Sequence, residues 1–247
     1  MASLRASIDG EPLSRIGATH QDHLMKKTLL FYALCAAAWP VMAQTPLSEL
    51  GAGSYLGYPG GLYPGGANVP PTRHKMAALN AARKVKPLDQ TGQDDARGAV
   101  GVISIGMSNT TQEFRALERT QDLSTSRRGS VVFINGAKSA VTAERWSNPV
   151  DPIWGELDTR IASAGLSAAQ VQVAWVKLAQ HEPILSFPQH AESLRDQLAQ
   201  TLRNAKARFP NLRLAFLNNR IHGGYSSRPE RGEPLSYEVG FAVKWLI

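Results

Sequence analysis

The chain has 247 residues and a formal net charge of +7, with 43% hydrophobic and 19% charged residues. This composition is typical of a soluble globular protein that has enough apolar material for one large domain or two small ones. The positive charge is dispersed, because no long block of Lys and Arg follows the N-terminal region. The sequence therefore argues against nucleic acid as a partner.

Residues 25–43 have the pattern of a secretory signal peptide. Lys26 and Lys27 precede an apolar run over 29–39, and small side chains stand before a cleavage point after Ala43. The run is too short to span the roughly 30 Å of a bilayer core, and a buried core helix is the alternative interpretation. We expect a periplasmic or secreted protein with no membrane attachment after cleavage. Residues 1–24 are interpreted as a spurious extension upstream of the true start codon at Met25. The alternative is that they are a genuine N-terminal extension.

The mature chain would have no thiol chemistry, because the only cysteine, Cys35, lies in the predicted signal peptide. Residues 44–98 then form a Gly/Pro-rich segment followed by a helix predicted over 73–86 and stopped by Pro87. The Tyr-Pro-Gly-Gly sequences at 58–61 and 63–66 require turns. They predict a loop that packs tyrosines on the domain surface, or alternatively a place where Tyr58 and Tyr63 stack on sugar.

Residues 99–247 alternate between β and α patterns. Short apolar runs predict strands over 100–105, 130–134, 171–176 and 212–217, and apolar stripes predict helices over 152–164 and 189–209. Strands separated by helices favour a parallel sheet covered on both faces, which is a three-layer α/β/α fold. Function in such sheets gathers at the carboxyl ends of the strands.

Small, polar and glycine-rich loops follow all four predicted strands. Gly106-Met107-Ser108-Asn109 follows the first, and Asn135-Gly136 follows the second. The third is followed by residues 177–180, which end in Gln180, and the fourth by residues 218–224, which include His222.

These segments resemble the conserved blocks of the SGNH (GDSL-type) hydrolases over about residues 60–247. Gly106-Met107-Ser108 is similar to the first block and Asn135-Gly136 to the second, while 171–180 and 209–224 resemble exported bacterial members. The resemblance implies a flavodoxin-like parallel sheet and a serine esterase. It implies Ser108 as the nucleophile, and the N–H groups of Ser108 and Gly136 as donors to the oxyanion. An ordinary helix cap is the alternative role for Ser108.

The chain departs from the family pattern in two places. The third block of the family offers an Asn to the oxyanion, and here Gln180 is the nearest substitute. The family base is a His three residues after an Asp, and no Asp-x-x-His follows Ser108. His222 is therefore the alternative base. The apolar segment 237–247 ends the chain where a fifth strand would be expected, which predicts a fold truncated at its C-terminus.

Two functions follow as expectations. The first is an exported esterase that acts on a small-molecule or glycan ester, such as acetylated carbohydrate, and is inactive in this truncated form. The second is a non-catalytic, carbohydrate-binding relative in which the same cleft holds glycan without cleaving it. Neither needs a cofactor, and no His/Cys/Asp spacing indicates a metal site.

Overall fold

The computed structural model describes residues 45–122, 129–181 and 184–247, all of which belong to one compact unit. The predicted signal peptide, 25–43, and the segment 1–24 lie outside the described residues. Within the described ranges no helix is both long enough and apolar enough to cross a membrane.

The strands form one small antiparallel pair and one parallel sheet. In chain order they are β1 (Ser54–Tyr55), β2 (Tyr58–Pro59), β3 (Val100–Gly106), β4 (Val131–Ile134), β5 (Val171–Lys177) and β6 (Leu214–Leu217). β1 pairs with β2, and the other four lie in the order β4-β3-β5-β6 with every neighbouring pair parallel. The predicted α/β class with a parallel sheet is confirmed.

Helices flank this sheet, as a three-layer arrangement requires. They are α1 (Leu47–Leu50), α2 (Thr72–Ala82), α3 (Ser108–Asp122), α4 (Ala143–Ser147), α5 (Pro152–Ser163), α6 (Gln189–Arg208) and α7 (Leu235–Leu246). α6 packs against α7 and α4. The predicted stripes of α5 and α6 are buried, with Leu157, Ile161, Leu194 and Leu198 each at most 2% exposed. Burial of these side chains is the main stabilising contribution to the fold.

The prediction for the first long helix is wrong at its C-terminal end. The helix ends at Ala82, not at residue 86, and Met76 and Leu79 on its apolar stripe are 45% and 42% exposed. The chain after it is held by Gln172 of β5, whose amide donates to the Lys86 carbonyl at 2.7 Å and accepts from the Lys86 N–H at 3.2 Å. The N–H of Val85 still donates to the Ala82 carbonyl at 3.1 Å, so this contact with an almost fully buried side chain takes the place of the helical hydrogen bond of Lys86 alone.

The Tyr-Pro-Gly-Gly sequences bring their tyrosines into aromatic contacts. The Tyr58 ring lies 5.2 Å from that of Phe187 and 5.4 Å from that of Trp245, and Tyr63 lies 5.9 Å from His74. Both tyrosines are partly buried, and both also line a cavity of about 600 Å³. The tyrosines therefore pack against the domain, as the loop interpretation predicts. Sugar stacking on them stays a prediction.

A buried polar network joins the N-terminal segment to α6 and α7. Glu238 accepts a hydrogen bond from the Tyr55 hydroxyl at 2.6 Å, and its other oxygen lies 2.6 Å from Nε2 of His190. Burial raises the pKa of Glu238 and lowers the pKa of His190, since both charged forms are desolvated. Tyr237 and Glu233 also face this cluster through electrostatic interactions.

Glu238→Gln is expected to flatten the dependence of stability on pH. A carboxyl whose pKa is raised on folding contributes stability below its unfolded pKa and loses it as pH rises through the folded value. His190 acts in the opposite sense, losing stability as pH falls below its unfolded pKa. The free energy of unfolding of the variant, minus that of the wild type, should rise with pH from about 4 upward, with a limiting slope of about 1.4 kcal/mol per pH unit.

Urea unfolding at several pH values measures this difference, and Glu192→Gln on the exposed side of α6 is the matched control. The control should run parallel to the wild type. A Glu238→Gln difference that stays constant or falls with pH would contradict a raised pKa for Glu238.

Candidate functional site

A cavity of about 340 Å³ opens at the carboxyl ends of the parallel strands. Its walls come from the start of α3, the loop after β4, the end of β5 and the segment between β6 and α7. The described residues that line it are Met107, Ser108, Asn109, Ser139, Ala140, Thr142, Gln180, His181, Arg220, Ile221, His222, Gly223, Tyr225, Ser226, Arg228, Arg231 and Ser236. Of the residues predicted from sequence, the cavity brings together Ser108, Gln180 and His222.

Ser108 is the first residue of α3 and is exposed to the cavity. Only Met107 separates it from the end of β3, so the strand leads almost directly into the helix. The first N–H groups of a helix have no acceptor within the helix, and they carry the positive end of its dipole. Negative charge developing beside Ser108 would therefore be stabilised by the N-terminus of α3, where the Thr110 N–H already donates to Oδ1 of Asn109 at 3.0 Å.

Gly106 is required by close packing at the turn between β3 and α3. A Cβ at this position would lie 2.2 Å from the Thr110 hydroxyl oxygen and 2.6 Å from the Lys177 carbonyl oxygen. The Thr110 hydroxyl donates to that same carbonyl at 2.9 Å, which ties the first turn of α3 to the end of β5. The glycine thus lets helix and strand approach closely enough to hold Ser108 at the rim of the sheet.

The carbonyl of Gly106 anchors two further segments of the site. It accepts the indole N–H of Trp146 at 3.3 Å and the backbone N–H of Lys138 at 3.1 Å. Trp146 is fully buried and its ring meets that of Trp154 edge to face at 4.9 Å. The loop after β4 and the helix α4 are therefore fixed to the same strand end that presents Ser108.

Gly136 lies at the end of β4, next to β3, but it is buried and does not line the cavity. A Cβ there would lie 2.5 Å from the carbonyl oxygen of Ser104 and 2.6 Å from the side chain of Leu157. The preceding Asn135 accepts from the Ser104 hydroxyl at 2.9 Å and donates to the Thr111 carbonyl at 2.9 Å. These contacts account for the Asn-Gly pair by packing beneath the cavity.

Gln180 does reach the cavity wall, and its side-chain amide donates to the Ser193 hydroxyl at 3.0 Å. Lys177, at the start of the same segment, has a structural role. Lys177 is 3% exposed and its ammonium group lies 2.7 and 2.9 Å from the two carboxylate oxygens of Glu113 on α3. This ion pair is a second link between β5 and the helix that begins at Ser108.

One ring nitrogen of His222 makes a local hydrogen bond. Its Nδ1 accepts the N–H of Gly224 at 3.0 Å, which places the proton of the neutral ring on Nε2. Nε2 lies 3.9 Å from a carboxylate oxygen of Glu233. In this arrangement the ring has no lone pair directed at Ser108. A second histidine, His181, also lines the cavity, and its backbone N–H donates to Glu144 at 3.1 Å.

Three arginines of the segment between β6 and α7 line the cavity, and sequence analysis did not single them out. They are Arg220, Arg228 and Arg231. The Nε atoms of Arg220 and Arg231 are buried and have no hydrogen-bond partner within the described part of the chain. The pKa of Arg220 is lowered, mainly because the group is buried and secondly because the positive charge of Arg231 is near. The separation of 220 from 231 in an irregular segment leaves no periodic signal that could have revealed the cluster.

Across residues 45–122, 129–181 and 184–247, no three His, Cys, Asp or Glu side chains are grouped as a metal ion would require. No model of a known protein family matches the chain, and no curated protein matches it. The α/β fold and the geometry of the cavity therefore carry the functional argument.

Proposed function

We propose that this protein is an exported serine esterase of the SGNH type, with Ser108 as its nucleophile. The observation that carries the proposal is the position of Ser108, exposed in a polar cavity at the N-terminus of α3 and directly after β3. The strand order β4-β3-β5-β6 also supports it, because it agrees with the first four strands of the flavodoxin-like order 2-1-3-4-5. Export rests on the charged and apolar pattern of residues 25–43.

The proposed reaction is the transfer of an acyl group through Ser108. The hydroxyl oxygen forms a bond to the ester carbonyl carbon, the alcohol leaves with a proton, and water then releases the acid from the serine. The carbonyl oxygen becomes negatively charged in the intermediate, and the first N–H groups of α3 would stabilise that charge. The side-chain amides of Asn109 and Gln180, which line the same cavity, are further donors within the site.

One observation favours a second candidate, a non-catalytic binding protein with the same cavity. A serine hydroxyl is a weak nucleophile unless a base removes its proton, and the acceptor nitrogen of His222, Nδ1, is already occupied by the N–H of Gly224. A ligand, glycan included, would then be held and not cleaved. The two candidates differ in whether Ser108 reacts covalently.

Labelling with a fluorophosphonate separates them, because attack by the serine oxygen on phosphorus expels fluoride and leaves a permanent adduct. We expect mass spectrometry to locate the adduct on Ser108, and Ser108→Ala to abolish it. Ser163→Ala is the matched control, since this exposed serine donates only to a carbonyl within its own helix α5. Absence of label from Ser108 in the folded wild-type chain would reject the esterase and leave the binding protein.

A further inference from the structure

The side chains that line the cavity carry an excess of positive charge. Its described lining includes three arginines and two histidines and no carboxylate. The nearest buried carboxylate is that of Glu233, whose side chain is 5% exposed and is already used by the N–H groups of Gly223 and Tyr237. Glu144 lies beside the rim, where it accepts the N–H of His181. The charge of Glu233 acts to raise the pKa of Arg220, but one carboxylate does not balance three guanidinium groups.

Two of these guanidinium groups also have unsatisfied donors. Nε of Arg220 and Nε of Arg231 are shielded from solvent and have no acceptor in the described part of the chain. A buried donor without a partner costs about 1–3 kcal/mol, and more when the group is charged. The two arginines also repel each other, as the influence of Arg231 on the pKa of Arg220 indicates. An anion held by the outer N–H groups of these two arginines, which line the cavity, would relieve their mutual repulsion.

Guanidinium groups suit oxyanions in particular. Their planar fork of N–H donors matches the spacing of two oxygens of a carboxylate or a phosphate, and such pairs are short and strong. Neutral donors also line the cavity, among them the hydroxyls of Ser139 and Tyr225. The cavity therefore offers one strongly anion-binding wall, with Ser108 on the wall contributed by α3.

We infer that the cavity binds its ligand through an oxyanion group held by Arg220 and Arg231. The inference deepens the proposed function, since it makes the substrate an ester that also carries a carboxylate or a phosphate. The anionic group lies at the arginine wall and leaves the ester carbonyl to Ser108. It holds for the non-catalytic candidate as well, in which case the ligand is an anionic compound that is bound without reaction.

Calorimetric binding of malonate and of inorganic phosphate to the Ser108→Ala chain tests the inference, at fixed ionic strength. The Ser108→Ala background makes the readout independent of ester cleavage. At least one of the two anions should bind, and the stronger of them identifies a carboxylate or a phosphate as the preferred group. Arg220→Gln and Arg231→Gln should each weaken binding by about tenfold or more, because each removes charge-assisted hydrogen bonds.

Arg203→Gln is the control, since it removes one positive charge from an exposed site on α6 outside the cavity. It should leave the affinity unchanged. The inference is overturned if Arg220→Gln and Arg231→Gln bind the anion as tightly as the control does, or if neither anion binds. If Arg220→Gln fails to fold, as judged by circular dichroism, Arg231→Gln alone decides the matter, and unchanged affinity in that variant overturns the inference. Anion binding without fluorophosphonate labelling rejects only the esterase, and labelling without anion binding rejects only the inference.

Discussion

Replacing Ser108 with alanine is expected to lower the turnover of p-nitrophenyl acetate by at least about 100-fold. Removing the serine of a complete triad costs on the order of a million-fold, and a general base contributes about a hundred- to ten-thousand-fold of that. The remainder depends on the nucleophile and on stabilisation of the oxyanion. Because the described geometry does not direct the ring of His222 at Ser108, turnover by the wild type is expected to be slow.

The measurement compares initial rates for the wild type, Ser108→Ala and His222→Gln at the same enzyme concentration. His222→Gln should change the rate far less than Ser108→Ala, since its Nδ1 is occupied by the Gly224 N–H. An equal loss in both variants would mean that the ring turns toward Ser108 and serves as the base. Unchanged turnover in Ser108→Ala would sink the assignment of Ser108 as nucleophile.

Trp146→Ala is expected to destabilise the protein by about 3–5 kcal/mol, the usual cost of removing a fully buried aromatic side chain. The indole is 0% exposed, packs edge to face on Trp154 and donates to the Gly106 carbonyl. Its loss leaves a cavity next to the turn that presents Ser108. For a chain of this size, each kcal/mol lowers the melting temperature by about 2–4 °C, so the midpoint should fall by roughly 10 °C.

Urea unfolding followed by circular dichroism checks the change, with Trp146→Phe as the matched variant. Phenylalanine keeps most of the aromatic contact but not the indole N–H, so it should cost clearly less than alanine. A loss below about 1 kcal/mol for Trp146→Ala would mean that neighbouring side chains close the cavity and that Trp146 does not hold the end of β3.

Local patterns in the sequence were sufficient to predict the central elements. The apolar runs of β3 and β5 and the stripes of α5 and α6 lie where they were expected, because a strand buried on both faces needs a continuous apolar run and a half-buried helix needs apolar residues at a period of 3.6. The sequence also indicated which residues follow the ends of strands. Ser108, Gln180 and His222 were selected for that reason, and all three line one cavity.

The tertiary structure decided what each of these residues touches. Gly136 follows a strand as predicted, yet packing against Leu157 keeps it out of the cavity, and no local pattern encodes that contact. The helix predicted over 73–86 ends at Ala82, and Gln172, 86 residues from Lys86 in sequence, binds the backbone of Lys86. Arg220 and Arg231 line the same cavity only because of the irregular path that the chain takes between β6 and α7. Periodicity records burial along one element, whereas a binding wall is built from side chains that distant segments bring into contact.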